Sequence, residues 1–220
     1  MARLKVGILI SGRGSNMQAL IDACRVPRFP AEIALVLSNE AGAAGLLRAR
    51  EAGIATRVID HRGFARDRAA FERALTAALE VAGVEFVCLA GFMRLLTETF
   101  VDHWRDRLIN IHPSILPAFR GLDTHKRALE AGVRLHGCTV HFVRAAMDDG
   151  PIIVQAAVPV LPGDDEAALA ARVLAAEHRC YALALKLAAE GRLSVENERC
   201  LVRGAPAQQA ALINPPPVMA

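Results

Sequence analysis

The sequence predicts a doubly wound α/β domain, a mostly parallel sheet with helices on its faces and an antiparallel extension toward the C-terminal side. Two observations predict the sheet and a third predicts the extension. Through the first half, short and continuously apolar runs alternate with longer amphipathic ones, the pattern of βα units whose strands are buried on both faces. The first apolar run, KVGILIS, feeds directly into glycines. After residue 111 the alternation ends, and two apolar runs follow each other joined only by AAMDDGP, a connection that suits antiparallel pairing.

The elements follow in order. Lys5 to Ser11 is the first strand and Ser15 to Cys24 the first helix. Ile33 to Ser38 is the second strand, and Ala43 to Ala52 is a helix closed by Gly53. Ala55 to Asp60 reads as a third strand, and Asp67 to Ala82 as a strong helix ended by Gly83. Phe86 to Ala90 and Leu108 to Ile111 are the fourth and fifth strands. Ile111 to Leu122 carries Pro113, Pro117 and Gly121 and reads as a structured loop, with a helix near Thr124 to Ala131 after it. Gly137 to Val143 and Ile152 to Val160 form the antiparallel pair. Glu166 to Glu190 is a long alanine-rich helix, and Arg192 to Val202 a small hairpin. From Gly204 through NPPPVMA the chain reads as a disordered tail. The expected organisation is one domain over residues 1–203, with the tail at 204–220.

Composition removes several classes of function. Lys and Arg number 26 against 23 Asp and Glu, and an excess of +3 is too small and dispersed for a nucleic-acid footprint. Hydrophobic residues are 53% of the 220, of which 41 are alanine. What remains is an ordinary supply of larger apolar side chains for a compact core. No run approaches the ~18 uncharged apolar residues of a membrane span, and MARLKVGILISGRG is too short in its apolar stretch for a secretory signal. Cys24, Cys88, Cys138, Cys180 and Cys200 are odd in number, scattered, and without a C-x-x-C pair. That argues against a zinc ribbon or a disulfide framework and for a reducing cytoplasm. Cys88, inside FVCLAG, reads as a buried small hydrophobe.

Ligands of doubly wound sheets sit outside the carboxyl ends of the strands, so motifs are weighed by whether they fall there. Ser11-Gly12-Arg13-Gly14-Ser15-Asn16 does, between the first strand and first helix. It is not a Walker A loop, and Met17 stands where a dinucleotide fingerprint needs its third glycine. What is left is a tight turn aiming backbone N–H groups and a positive helix end at an anion, which suits a phosphate monoester. The same residues also suit an ordinary turn with Ser15 as N-cap.

Asn110 and His112 lie one residue apart at a strand end, so both side chains share a face. Pro113 biases His112 toward extended backbone, holding the imidazole out from the strand end. An amide beside a histidine suits a developing oxyanion, with the histidine donating a hydrogen bond or a proton. Such a histidine needs a carboxylate partner, and Asp148 and Asp149 are the candidates. The bland reading is that all four are turn and structural residues. His136 and His141 flank a strand, His125 opens a helix, and His61 and His103 read as surface or packing residues. No pair has metal-ligand spacing, so no metal is assigned. Phe92 to Leu96 reads on its own as core packing.

The strings GILISGRGSNMQALIDA, LAGFMRLL, NIHPSILPAFRGLDTHKRALEAG, HGCTVHFV and DDGPIIVQAAVPV, in this order, resemble the phosphoribosylglycinamide formyltransferase family over about residues 4 to 195. The resemblance implies the formyltransferase fold, a Rossmann-like doubly wound sheet. It also implies transfer of a formyl group from 10-formyltetrahydrofolate to the amine of 5-phosphoribosylglycinamide in purine synthesis. By resemblance, Gly14, Ser15 and Asn16 hold the substrate phosphate, and Asn110, His112 and Asp148 are the catalytic trio. Met93, Arg94, Leu95 and Leu96, together with Arg144, Ala145, Ala146, Met147 and Asp148, line the folate pocket, and Asn110 borders it. Arg68 is a basic residue on the folate side, and Glu177 contacts the ribonucleotide. On helix statistics alone Glu177 is an exposed charge paired with Arg172 or Lys186. Asp149, Ala118 and Arg120 depart from the residues expected at their positions. The halves then divide at about residue 105 into a phosphate-binding and a folate and catalytic half.

Three formyl-folate relatives share this core. A first strand at residue 4 or 5 leaves no room for the regulatory domain of a formyltetrahydrofolate deformylase. A chain ending soon after Glu190 leaves none for the nucleic-acid-binding domain of a methionyl-tRNA formyltransferase. The expectation is therefore a cytoplasmic enzyme acting on small molecules, monomeric or homodimeric, without nucleic-acid or membrane partners. Hydrolysis of formyl folate, transfer to another amine, or phosphate-ligand binding without catalysis are the alternatives.

Overall fold

The structure is a computed structural model that describes residues 2–65, 67–204 and 212–214. Seven strands form one sheet in the order β3-β2-β1-β4-β5-β6-β7. These are β1 (Leu4–Ile10), β2 (Ala31–Ser38), β3 (Thr56–Val58), β4 (Phe86–Leu89), β5 (Leu108–His112), β6 (Leu135–Phe142) and β7 (Ile152–Pro159). The first five are parallel, while β6 runs antiparallel to β5 and β7 antiparallel to β6. The order reverses between β1 and β4, which opens a crevice at their carboxyl ends where the expected motifs lie.

Alternation along β1 sets the two layers. Val6, Ile8 and Ile10 face a core closed by α1 (Ser15–Arg25), α2 (Ala44–Glu51) and α6 (Glu166–Ala189). Leu9 faces a second core with Phe71, Leu75 and Leu79 of α3 (Arg68–Val81) and Trp104. Each large side chain so buried contributes roughly 1.5–3 kcal/mol. Helix starts follow their caps, with Asp67 accepting from the Ala70 N–H at 2.8 Å and Asp165 from the Ala168 N–H at 2.7 Å.

Three features depart from the expected elements. A six-residue helix, α4 (Glu98–His103), and a 3₁₀ turn at His61–Phe64 have no signal in the apolar pattern. The start of α4 is set by tertiary contact, because buried Glu72 accepts from both the Thr97 N–H, at 2.8 Å, and its hydroxyl. The strand expected from Gly137 begins at Leu135, so His136 and His141 lie inside β6 and are buried, rather than flanking it. α5 (Thr124–Glu130) and the hairpin of β8 (Leu193–Glu196) and β9 (Arg199–Val202) fall where expected. Of the tail, Gly204 and residues 212–214 are described, with the Asn214 amide donating to the carbonyls of Arg134 and Val160 at 2.6 and 3.2 Å. Residues 205–211 and 215–220, on which most of the disorder expectation falls, lie outside the described residues.

Candidate active site

The glycine loop leaves β1 and turns at Gly14, which is the N-cap of α1 and holds a left-handed φ of 73°. Ser15 is therefore the first helical residue and not the cap, and no side chain caps this end. The first helical bond runs from Gln18 N–H to Gly14 O at 2.9 Å, which leaves the preceding N–H groups without helical partners. Close approach explains the glycine as much as φ does, since a Cβ on Gly14 would lie 2.9 Å from the Cα of Gly45. Gly45 in turn donates its N–H to Gly12 O at 3.0 Å, bracing the loop from α2.

Asn16 and Glu177 meet across this loop, the amide donating to the carboxylate at 2.9 Å. Glu177 is only 6% exposed, which overturns the surface-charge reading. Both supposed partners are engaged elsewhere, Arg172 with Asp164 at 2.7 Å and Lys186 with Glu190 at 3.7 Å. Burial pushes the Glu177 carboxyl up from its ordinary range, and the Asn16 donor partly offsets that. Asn16 Oδ1 is buried and accepts from no donor. The two acceptor atoms, a buried carboxylate and a buried amide oxygen, therefore stand side by side.

Beyond the switch point lies a cleft of about 590 Å³. Gly91 to Leu96 form one wall, Gly121 to His125 another, and Val143, Arg144, Ala145, Met147 and Asp148 a third. Asn110 and His112 reach it from the end of β5, their shared face placing both side chains in it. The stretch divides: Phe92 and Leu96 pack into the second core, as read from the sequence, while Met93 and Leu95, 65% and 62% exposed, stand on the cleft wall. Ala146 is absent from the lining. Arg68 lies outside the cleft, in an adjoining depression of about 250 Å³ that also takes in His61 and Arg94. The glycine loop and Glu177 also lie outside the main cleft, but Ser11 joins the two regions. Its N–H donates to Gly91 O at 3.0 Å, and its hydroxyl accepts the Met93 N–H at 2.7 Å.

His112 does not stand out from the strand end as expected; it is 5% exposed because the loop after Pro113 folds back over it. Its Nε2 lies 3.0 Å from the Phe119 carbonyl and its Nδ1 3.4 Å from Asp148 Oδ2. Each ring nitrogen thus faces an acceptor oxygen, a backbone carbonyl on one side and a carboxylate on the other. Phe119 presents that carbonyl from a left-handed backbone, φ 55°, a conformation that costs a bulky residue of order 1–3 kcal/mol and is held by the surrounding loop. Of the two candidate aspartates, Asp148 meets His112 and also accepts from the Gly121 N–H at 2.9 Å. Asp149 turns away and pairs with Arg120.

Sequence reasoning undervalued His141. Its Nδ1 donates to Phe142 O at 2.8 Å, so its Nε2 is an acceptor, 3.5 Å from the Asn110 amide and 4.0 Å from Asp148. Burial pushes its ring toward the neutral form. Tyr181 was also missed. Fully buried, it donates to Leu89 O at 2.8 Å, which ties α6 beneath the ends of β4 and β5.

Comparison with known proteins agrees with this geometry. Residues 4–185 match the formyl transferase family model. Over 201 residues the chain is 45% identical to phosphoribosylglycinamide formyltransferase of Escherichia coli, spanning 91% of this chain and 94% of that protein. It is 56% identical over 193 residues to the trifunctional purine biosynthetic protein adenosine-3 of Drosophila pseudoobscura, covering 87% of this chain but only 14% of that relative's length. Among solved structures, glycinamide ribonucleotide transformylase 1 of Symbiobacterium toebii superposes with a TM-score of 0.88 at 50% identity, covering 91% of this chain and 94% of that one. The match runs from β1 through most of α6 and so carries every element that builds the cleft, and on that ground the chain belongs to the formyl transferase family.

Proposed function

We propose that the protein transfers the formyl group of 10-formyltetrahydrofolate to the amine of 5-phosphoribosylglycinamide, in the cytoplasm, as a monomer or homodimer acting on small molecules alone. The observation that carries the reading is the meeting of Asn110 and His112 with Asp148 on the floor of one cleft. Walls of Met93, Leu95, Leu96 and Val143 suit a flat pterin, whose edge backbone groups can read. Arg68 and Arg94, in the adjoining depression, suit the carboxylates at the other end of a folate. The glycine loop suits the phosphate, and Glu177 with the orphan Asn16 oxygen suits the sugar hydroxyls.

The neutral acceptor amine attacks the formyl carbon. Asn110 donates to the developing oxyanion, and the His112 Nε2 proton turns to it from the Phe119 carbonyl. Asp148 balances the imidazolium charge. Collapse breaks the bond from the formyl carbon to the folate nitrogen. The proton lost by the amine reaches that nitrogen through Asp148 and water, and no covalent enzyme intermediate forms.

The test is an acceptor panel. Purified protein with 10-formyltetrahydrofolate is offered 5-phosphoribosylglycinamide, other primary amines, or water alone. Formylation of the ribonucleotide well above the other amines is expected. Formate release with water at a comparable rate would instead make the chain a hydrolase.

A further inference from the structure

We infer that Arg120 and Asp149 form an ion-pair latch across the mouth of the cleft, and that this latch positions the folate-binding loop. The inference rests on the formyl-folate reading above. Two loops form facing rims here, residues 113–123 after β5 and residues 143–151 between β6 and β7. They touch at three successive points. The Arg120 guanidinium pairs with the Asp149 carboxylate, the Gly121 N–H donates to Asp148 at 2.9 Å, and the Met147 methyl lies 3.6 Å from where a Gly121 Cβ would stand.

Each end of the tie is anchored. On the first rim, Arg127 of α5 donates to the carbonyls of Arg120 and Leu122 at 2.6 and 3.2 Å. On the second, Arg144 enters the loop held by Asp106 at 2.8 Å and Glu198 at 2.6 Å, with its side chain only 11% exposed. At the exit, a Cβ on Gly150 would overlap Phe142 O at 1.7 Å, so the backbone there is packed against β6. Between these fixed ends, Asp148 holds a left-handed φ of 52°, a conformation that persists only when its surroundings impose it.

Arg120 and Asp149 are 42% and 46% exposed, so the pair adds little to global stability. Its leverage is local, because the residues it joins immediately adjoin Gly121 and Asp148. The latch favours the loop arrangement that completes the folate slot, and releasing it lowers donor affinity by the fraction of molecules that leave that arrangement. The acceptor side, built from the glycine loop and Glu177, lies elsewhere and is not affected. Arg120 and Asp149 are thus positioning residues, and they touch no reacting atom.

The experiment uses the full chain with Asp149→Asn, Arg120→Gln, and the double swap Arg120→Asp with Asp149→Arg. The readouts are affinity for a non-reactive 10-formyltetrahydrofolate analogue, steady-state constants, and melting temperature. Each single variant is expected to weaken analogue binding and raise the donor KM about three- to tenfold. The acceptor KM, kcat within about threefold, and the melting temperature stay near wild type. The swap restores most of the affinity, and raising ionic strength weakens analogue binding by wild type more than by the singles. Unchanged affinity in both singles overturns the latch. So do shifts of opposite sign, because Asp149→Asn removes a negative charge and Arg120→Gln a positive one, and a field effect on an anionic folate would then explain the data. A swap that restores nothing overturns it as well. If wild type itself neither binds the analogue nor transfers formyl, the functional reading falls first and takes the latch with it.

Discussion

Asn110, His112 and Asp148 place three different chemical groups on one cleft floor, and each is expected to act on turnover. Removing one oxyanion donor from a well-studied hydrolase costs roughly 10²–10³ in rate. Asn110→Ala and His112→Ala should lose kcat on that scale with both KM values little changed. Asp148→Asn should remove most activity, because His112 and the Gly121 N–H both lose a charged partner. Steady-state kinetics on the three variants checks this, and near-normal turnover would remove them from the chemistry. In the proposed reading Glu177 acts on acceptor binding. An amide reproduces only part of a carboxylate's hydrogen bonding to sugar hydroxyls, so Glu177→Gln should raise KM for the ribonucleotide and leave that for formyl folate nearly alone. An interaction made equally in ground and transition states appears in KM and not in kcat. An acceptor KM that stays at the wild-type value would leave Glu177 as a buried structural partner of Asn16.

At the scale of elements, the site is where three strand ends, β1, β4 and β5, release loops on one edge of the sheet. On the acceptor side the glycine loop packs closely against α2. Gly14→Ala would force a left-handed alanine and set its Cβ against Gly45 Cα. The left-handed conformation alone costs roughly 1–2 kcal/mol for an L-residue. The expected outcome is a loss of about 1–3 kcal/mol in urea unfolding, together with a raised KM for the ribonucleotide and an unchanged folate KM. Wild-type stability in this variant would mean that the close approach relaxes freely. The apolar stripe of α6 carries one charged residue. Leu169, Val173, Cys180, Tyr181 and Ala184 face the core at helical spacing, and Glu177 occupies the same stripe. A lone carboxylate on a buried stripe is a signal that periodicity alone offers.

For the whole molecule, the buried histidines set a pH response. Burial and the nearby His125 and His112 push His136 down to about 4, and His125 and His141 are lowered in the same direction. The unfolded ring titrates near 6.5, so between about 6.5 and 4 the unfolded chain takes up a proton that the folded chain refuses. The contribution of His136 is therefore complete above about 6.5 and is lost as pH falls through this window. His136 contributes at most about 3 kcal/mol of the loss. Urea midpoints measured from pH 7 to 4 should fall less steeply in His136→Asn than in wild type. Taking the difference cancels Glu177, whose raised carboxyl responds in the opposite sense. Parallel curves would mean that His136 protonates without cost in the folded state.

The fold was legible because its causes are local. Apolar runs of strand length, helix periodicity, capping aspartates and closing glycines each act over a few residues, and together they yielded most strand and helix positions along with the antiparallel pairing of β6 with β7. The pairing of Asn110 with His112 was legible for the same reason, since strand alternation alone sets their shared face. What the chain determines only on folding is which distant residues meet. Asp148 and Asp149 are indistinguishable as adjacent carboxylates, and backbone direction in the loop gave one to His112 and the other to Arg120. The burial of Glu177 against Asn16, 161 residues away, and the capping of α4 by Glu72 depend equally on long-range packing. The contacts of His141 and the separation of the glycine loop from the main cleft were decided there too, because sequence spacing carries no information about distances between elements that only the packed sheet brings together.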